Sequence, residues 1–382
     1  MEDLAETKPW NINNRSLPVV EEVTHVGIQR NLQSIDPTID CRISYGRQAM
    51  FSLLGSGVYG NNGLPAKTSI HMYQIFSLPK VIYGLEALVL SKPHIQCLEL
   101  FQRTVLRSLL GVPERTAIAS LYIITGTLPM EKLVDQRHLV FLHSLLCEDG
   151  RLKDLVIRQS IMKKESSKSW IAQIKKTLRQ YSLPCISDLI VFLPTKLAWK
   201  KKVKHAVIYE TKIDIDFEAK QKSTLAYLNP NYVHGRCHNV VNHIRNPREV
   251  TRATIKTQMI TGSYMLQTSR MRFSQVTSDT CLTCGEGSED LTHMLLHCHA
   301  TSEVRQRYLP AIKKSIPCVY HHRNRVLQDG KLLTHFIMDF THPVITELFE
   351  IPPGYHESIE QLSRDFCFAV HIARSQLHES LD

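Results

Sequence analysis

Four residues in the C-terminal half constrain this chain more than any others. Cys281, Cys284, His293 and Cys298 follow the spacing C-x2-C-x8-H-x4-C. Two cysteines separated by two residues put both sulfurs on one ion across a tight turn. Gly285, directly after the second, has the backbone freedom such a turn needs. A later histidine and cysteine complete a tetrahedron. Three thiolates and one imidazole make a closed structural zinc set, with no position left for a reactive water. One Zn2+ is therefore expected, holding a loop-rich segment that could not fold alone. The histidine ligand stays open at this level. His293 and His297 are spaced i, i+4 and can share a helix face, and His299 lies beside them. His293 and Cys298 converge only if the helix ends or bends between them. A closed set excludes catalytic zinc, and the absence of an H-x-E grouping excludes a zinc deaminase.

The chain is 382 residues long, enough for two or three packed units. It is 43% hydrophobic and 21% charged, ordinary globular usage that argues against wholesale disorder. Lys and Arg number 46 against 36 Asp and Glu, a net charge of +10 that favours polyanions such as RNA or DNA. Met1–Lys8 is acidic and polar, unlike a secretory leader, and no apolar run reaches the ~18 residues of a membrane span. An intracellular setting, nucleus or cytoplasm, is expected. The remaining cysteines, Cys41, Cys97, Cys147, Cys185, Cys237, Cys318 and Cys367, are scattered singly and read as reduced thiols, most of them expected to be buried.

The pattern predicts a mainly α protein with a short N-terminal β segment, a helical bundle and a small zinc-stabilised helical region. Residues 17–30 are β-branched and short enough for a strand or hairpin. Helical periodicity starts near Asp40 and stops at Gly55-Ser56-Gly57. A second run covers 67–90, with Pro79 expected to end or kink it. A third begins near Pro93, carries Leu98, Phe101, Val105 and Leu109 on one stripe, and ends at Gly111 before Pro113. A fourth starts near Pro129 and reaches Leu145. Residues 148–235 read as helices and loops with two basic stretches. One runs from Lys163 to Arg179; the other runs from Lys196 to Lys204 around Trp199. Helices are expected over Val240–Ile244 and Glu249–Met265. Beyond 303 they are expected to break at Pro310, Pro317, Pro343 and Pro352-Pro353.

The segment 252–273, with Thr261-Gly262 and Gln267-Thr268-Ser269-Arg270, leads into the cysteine pair and then into Glu289-Asp290-Leu291-Thr292-His293. It resembles the C-terminal zinc-binding region of non-LTR (LINE-type) retrotransposon polyproteins, where a helix of this pattern precedes a C-C-H-C zinc knuckle. Thr24-His25-Val26-Gly27-Ile28 resembles the strand that closes a reverse transcriptase palm. Residues 37–146 resemble the thumb-like helices that follow, through Lys80-Val81-Ile82-Tyr83-Gly84, Leu98–Arg103 and Val105–Gly111. The likeness spans about residues 17–310. It implies a palm remnant over 1–33, a thumb-like bundle over 34–150, a basic helical connector over 151–235, a zinc domain over 236–310 and a C-terminal helical region over 311–382. It also implies RNA or DNA as partner.

The departure from that family is the catalytic machinery. Its polymerase needs an aromatic-x-Asp-Asp motif, and none occurs here; Asp36 and the Asp214-Ile215-Asp216 pair lack the context. The upstream endonuclease is absent as well. No Walker loop, G-x-S-x-G or H-E-x-x-H motif supplies another chemistry, so no catalytic residue is assigned. The expected nucleic-acid contacts are Arg245, Arg248, Arg252, Lys256, Arg270 and Arg272. Of these, Arg248, Arg252 and Lys256 fall on one helix face. Lys200, Lys201 and Lys202 form a second candidate patch, for phosphate or nuclear import. Tyr264, Phe273 and His299 are candidates for stacking on bases. The competing expectation is a helical scaffold whose zinc is purely structural. A third is polymerase activity completed by a palm from a longer chain.

Overall fold

The computed structural model describes residues 11–12, 15–16, 20–31, 33–53, 63–148, 150–317 and 320–379. The Gly55–Gly57 stop, the Met1–Lys8 segment and Cys318 lie outside them. Helix accounts for 68% of the structure, so the protein is mainly α, with a short β segment at its start.

The β segment is two small antiparallel ladders, β1 (Asn11–Ile12) with β2 (Arg15–Ser16) and β3 (Glu22–His25) with β4 (Ile28–Asn31). Val26 and Gly27 both have positive φ, the two-residue turn that matches the natural twist of a hairpin. The hairpin leans on α1 (Asp36–Ser52) through Thr38, which donates to the Gln29 carbonyl, and Arg42, which donates to the Gly27 carbonyl.

The second periodic run folds as α2 (Ala66–Met72), a π-helical turn at Tyr73–Ser77 and α3 (Leu78–Ile82). Pro79 has no N–H and its ring crowds the preceding turn. The wider π turn accommodates it without ending the helix. Next come α4 (Lys92–Leu110), closed by Gly111 in the left-handed region, α5 (Ile118–Thr125) and α6 (Met130–Cys147). The α4–α5–α6 junction is polar and buried. Glu99 accepts from the Tyr122 hydroxyl at 2.6 Å and from the first backbone N–H groups of α6, at Glu131, at 3.1 Å.

Four helices follow: α7 (Arg151–Met162), α8 (Trp170–Gln180), α9 (Ile186–Val191) and α10 (Lys196–Lys220). On α10 the buried residues are Trp199, Val203, Val207, Thr211, Ile215 and Ala219, every fourth position. At 100° per residue such a stripe advances about 40° per step, or about 200° over five steps. The two ends of α10 therefore face different ways. Trp199, Val203 and Val207 join one hydrophobic cluster, with Leu139, Leu142, Leu146 and Leu178. Ile215 and Ala219 join the other, which runs from Ile39 to Val370. Helix α6 divides likewise, with Met130 and Val134 in the larger cluster.

The last part holds α11 (Pro247–Ile260), α12 (Gln267–Arg272), α13 (Ser302–Ser315), α14 (Tyr320–Gln328), α15 (Gly330–Asp339), α16 (Pro343–Thr346) and α17 (Pro353–Glu379). The larger cluster mixes residues of the expected bundle, connector, zinc and C-terminal segments, so the core crosses the boundaries at 150, 235 and 310. Three expectations are corrected. The helix expected over Val240–Ile244 is a single 3-10 turn, Asn239–Val241. The helix expected over Glu249–Met265 ends at Ile260, because Gly262 turns the chain with positive φ where a Cβ would strike the Thr224 carbonyl. Pro310 does not break α13. It sits on the exposed side with Gln306, whose carbonyl loses its helical partner to water rather than to the core. The prolines at 343 and 353 begin helices, where a missing N–H costs nothing.

Two stability outcomes follow. Lys256 and Glu360 form a pair at 2.7 Å, with side chains 0% and 1% exposed. Lys256→Met should cost about 3–5 kcal/mol, since it strands a buried carboxylate, and adding Glu360→Leu should recover most of that loss. Urea unfolding midpoints of the single and double variants measure this. Separately, burial pushes Asp135 up to about 6 from its ordinary 3.8, while the Tyr181 hydroxyl at 2.7 Å pulls the other way. The folded chain thus favours protonated Asp135. That contribution is full below the ordinary value and is lost as pH rises through about 6. Asp135→Asn should therefore match the wild type near pH 4 and exceed it above pH 7, by up to about 3 kcal/mol. Denaturant titrations across that range check it.

Candidate metal centre

The metal segment starts as a knuckle. Thr280 and Ser288 form a single antiparallel bridge, the Cys281 N–H donates to the Gly287 carbonyl at 2.9 Å, and Gly285 N–H donates to the Cys281 carbonyl at 2.8 Å. Gly285 and Gly287 both take positive φ, and a Cβ on Gly287 would approach the His293 ring at 3.6 Å. Glycine at these two positions lets the cysteine pair and the histidine ring come together.

The second half is a π-helical turn over His293–His297. The Cys298 N–H donates to the His293 carbonyl at 2.8 Å, an i→i+5 bond. In an α-helix, positions five apart point about 140° from each other. The π turn places them one turn apart instead. This is the bend that the sequence required between the two ligands.

The result is a group of four: one ligand atom each from Cys281, Cys284, His293 and Cys298, all within 4.8 Å of one another. The Cys281 and Cys298 sulfurs are 3.9 Å apart, and the Cys284 sulfur is 3.4 Å from His293 Nε2. These separations suit four donors around one ion. It is the one such group of His, Cys, Asp or Glu among the described residues. His297 is exposed and lies against Gly330, outside the group. His299 is exposed, 3.7 Å from Glu286.

The electrostatics call for a cation. Burial, together with the neighbouring Cys281 and Cys298, pushes the Cys284 thiol up to about 12. Burial also raises Cys298, but hydrogen bonds from Thr283 and the Ala300 backbone, with help from Cys284 and Cys281, hold it below the ordinary thiol value. Three sulfurs this close cannot all ionise unless a positive ion joins them. Burial lowers His293, keeping its imidazole neutral as a ligand must be.

A second anchor holds the same loop, and sequence inspection missed it. Glu289 is fully buried between the second and third ligands. It accepts from Arg374 of α17 at 2.7 and 3.1 Å and from the Gln267 N–H at 2.9 Å. Met294 and Leu295 of the π turn enter the main core. The pairing of residues 85 positions apart leaves no local sequence signal.

The expected nucleic-acid contacts separate into two sets. Lys256 is corrected outright: it is buried against Glu360 and cannot reach a phosphate. The reason is helical geometry, because eight residues of α11 turn about 80°, carrying Lys256 from the face of Arg248 to the face under α17. Arg252 pairs with Asp365 and Arg245 with Glu357. Arg248 and Arg272 are exposed and Arg270 half-buried, and none forms an ion pair among the described residues. Lys200, Lys201 and Lys202 are exposed on α10, while Trp199 between them and the core is buried, its indole N–H on the Leu139 carbonyl at 2.8 Å. Phe273 is exposed; Tyr264 is buried and bonded to His371 at 2.8 Å. Asp214 and Asp216 lie in helix α10, paired with Lys132 and Lys212, in no hairpin.

No family model, curated protein or solved structure matches the chain. Among the described residues, no helix is long and apolar enough to cross a membrane.

The metal group yields a direct outcome. Purified protein should carry about one equivalent of bound metal per chain by elemental analysis, and Cys284→Ser should lose most of it. Because Glu289 and the π turn are anchored independently, hydrogen exchange in that variant should rise over 279–288 and change little over 93–145. Global loss of protection would contradict the two-anchor arrangement.

Proposed function

We propose that this chain is the zinc-containing, nucleic-acid-binding C-terminal part of a retroelement reverse transcriptase, without polymerase or endonuclease centres of its own. The observation that carries the reading is the closed Cys281, Cys284, His293, Cys298 group, flanked by arginines that no carboxylate among the described residues neutralises. Zn2+ fits the donor set best. Zinc–sulfur bonds of ~2.3 Å in a tetrahedron place sulfurs about 3.8 Å apart, against the 3.9 Å between Cys281 and Cys298. Three thiolates and one imidazole favour zinc over hard cations. The ion's role is structural: it fixes the knuckle, and through it the approach to α12.

The arginines would meet phosphates. Arg248, Arg270 and Arg272 have no ion-pair partner among the described residues, and guanidinium forks match phosphate oxygens. The Lys200–Lys202 patch adds charge at a distance from the metal. RNA and single-stranded DNA are the expected ligands, in a reducing nucleus or cytoplasm where thiolates persist.

One observation favours a scaffold with a purely structural zinc instead. Arg245, Arg252 and Lys256 are committed to Glu357, Asp365 and Glu360, which removes half of the expected basic face. Salt dependence separates the two. If Arg248, Arg270 and Arg272 each neutralise a phosphate, the affinity for a single-stranded oligonucleotide should fall with log salt at a slope of about −2. Anisotropy titrations between low and moderate salt measure it. A flat response, or no binding, favours the scaffold.

A further inference from the structure

We infer that the cleft between the loop after α4 and helix α12 is a phosphate site, which takes a backbone or terminal phosphate of a single-stranded nucleic acid. The ligand's identity rests on the nucleic-acid reading above; the phosphate chemistry rests on the cleft itself. The cleft is framed by Pro113 and Arg115 from the loop, Gln258 on α11, Ser263 just past its end, Arg270 on α12, and His371 and Arg374 on α17. It therefore joins the helical bundle to the metal segment. Arg115 was no part of the expected basic face.

Among the described residues no carboxylate lines this cleft, and three arginines do. Arg374 is already neutralised by buried Glu289, at 2.7 and 3.1 Å. Arg115 gives one N–H to the Ser263 carbonyl at 2.7 Å, which fixes its guanidinium at the cleft wall, and it forms no ion pair among the described residues. Arg270 has no ion pair among the described residues, although its backbone is fixed by α12. Two positive charges therefore stand uncompensated in one concavity. His371 lines the same cleft, with its Nδ1 2.8 Å from the Tyr264 hydroxyl. Burial and then Arg374 hold this imidazole below its ordinary value, so it adds no charge of its own. Two guanidinium groups facing one cleft suit the tetrahedral, multiply charged oxygens of phosphate.

Helix α12 is itself placed by the metal loop. The Gln267 N–H donates to Glu289 Oε2 and the Thr268 hydroxyl to the Glu289 carbonyl, at 2.9 and 3.0 Å. The knuckle thus sets where Arg270 stands relative to Arg115.

The test compares two double variants that remove the same charge. Arg115→Ala/Arg270→Ala empties the cleft; Lys92→Ala/Lys220→Ala removes two exposed cations outside it, neither with a proposed binding role. Tripolyphosphate affinity of the metal-loaded full chain is measured by calorimetry, and oligonucleotide affinity by anisotropy over a salt series. The cleft pair should weaken tripolyphosphate by about tenfold or more, and the outside pair by less than about twofold. The cleft pair should also make the oligonucleotide salt slope shallower by about 1.4, the value for two lost contacts. Equal losses in both pairs, or no tripolyphosphate binding by the wild type, overturn the cleft. Oligonucleotide binding that survives such a result leaves the nucleic-acid reading standing alone. Tripolyphosphate held by the cleft without any oligonucleotide binding does the reverse. If the cleft pair fails to fold, Arg270→Ala alone, which breaks no ion pair, decides on the same readout.

Discussion

The buried face of α17 sets the register of the C-terminal half. Along that face Glu360 meets Lys256, Ser363 donates to the Ile337 carbonyl, Arg364 donates to the Asn242 carbonyl, His371 meets the Tyr264 hydroxyl and Arg374 holds Glu289. At about 100° per residue these five positions fall within an arc of about 100°, so they form one face of the helix. Each group is costly to bury unless its partner is present. A slip of α17 by one residue rotates the whole line by about 100° and strands every member. An apolar stripe would tolerate such a slip far better, because one aliphatic contact substitutes for another. The polar line therefore specifies a position, where the surrounding Phe366 and Val370 contribute the burial. Helix α11, the metal loop and α15 all take their places from it.

The metal loop shows how two constraints of different kind divide one segment. Residues 278–288 are short, glycine-bearing and mostly exposed, with little to bury. Residues 289–295 put Glu289, Met294 and Leu295 into the interior. The four ligands straddle that boundary, two on each side. An ion held there would tie a segment with no core of its own to one that the core already holds. The π turn at His293–His297 makes this possible, since an α-helical turn would point Cys298 away from His293. A second π turn, at Tyr73–Ser77, arises from a different cause, the proline at 79. In both, a local hydrogen-bond register is given up because a side chain leaves no better choice.

Much of this was legible in the sequence wherever the signal was local. The ligand spacing and Gly285 pointed to the knuckle, and the stripe from Leu98 to Leu109 with Gly111 and Pro113 marked α4 to within a residue or two. Helix α5 went unseen because it is buried on every side: Ala119 through Thr125 are all interior, so no polar face gives it a period. Pro310 misled because its cost depends on whether the orphaned carbonyl meets water, which is a tertiary fact. Lys256 misled for a related reason. Spacing of i, i+4, i+8 reads as one face, yet the face drifts with every step, and the partner that captures the lysine lies 104 residues away. Choosing His293 over His297 needed the π turn, which no residue pattern announced.

The same long-range pairing bears on how charge should be read in a chain like this. A net charge of +10 invites a search for a basic stripe. Along α11 and just before it that stripe dissolves, because α17 brings Glu357, Glu360 and Asp365 to Arg245, Lys256 and Arg252. Those contacts serve the register of α17 and offer nothing to a polyanion. The cations left over are the ones α17 does not reach: Arg248 at the start of α11, and Arg270 and Arg272 on α12. Arg115 belongs with them, across the cleft, on a loop that carries no basic pattern at all. Charge available for binding is thus what remains after the fold has used its share, and it gathers where helices from separate parts of the chain meet.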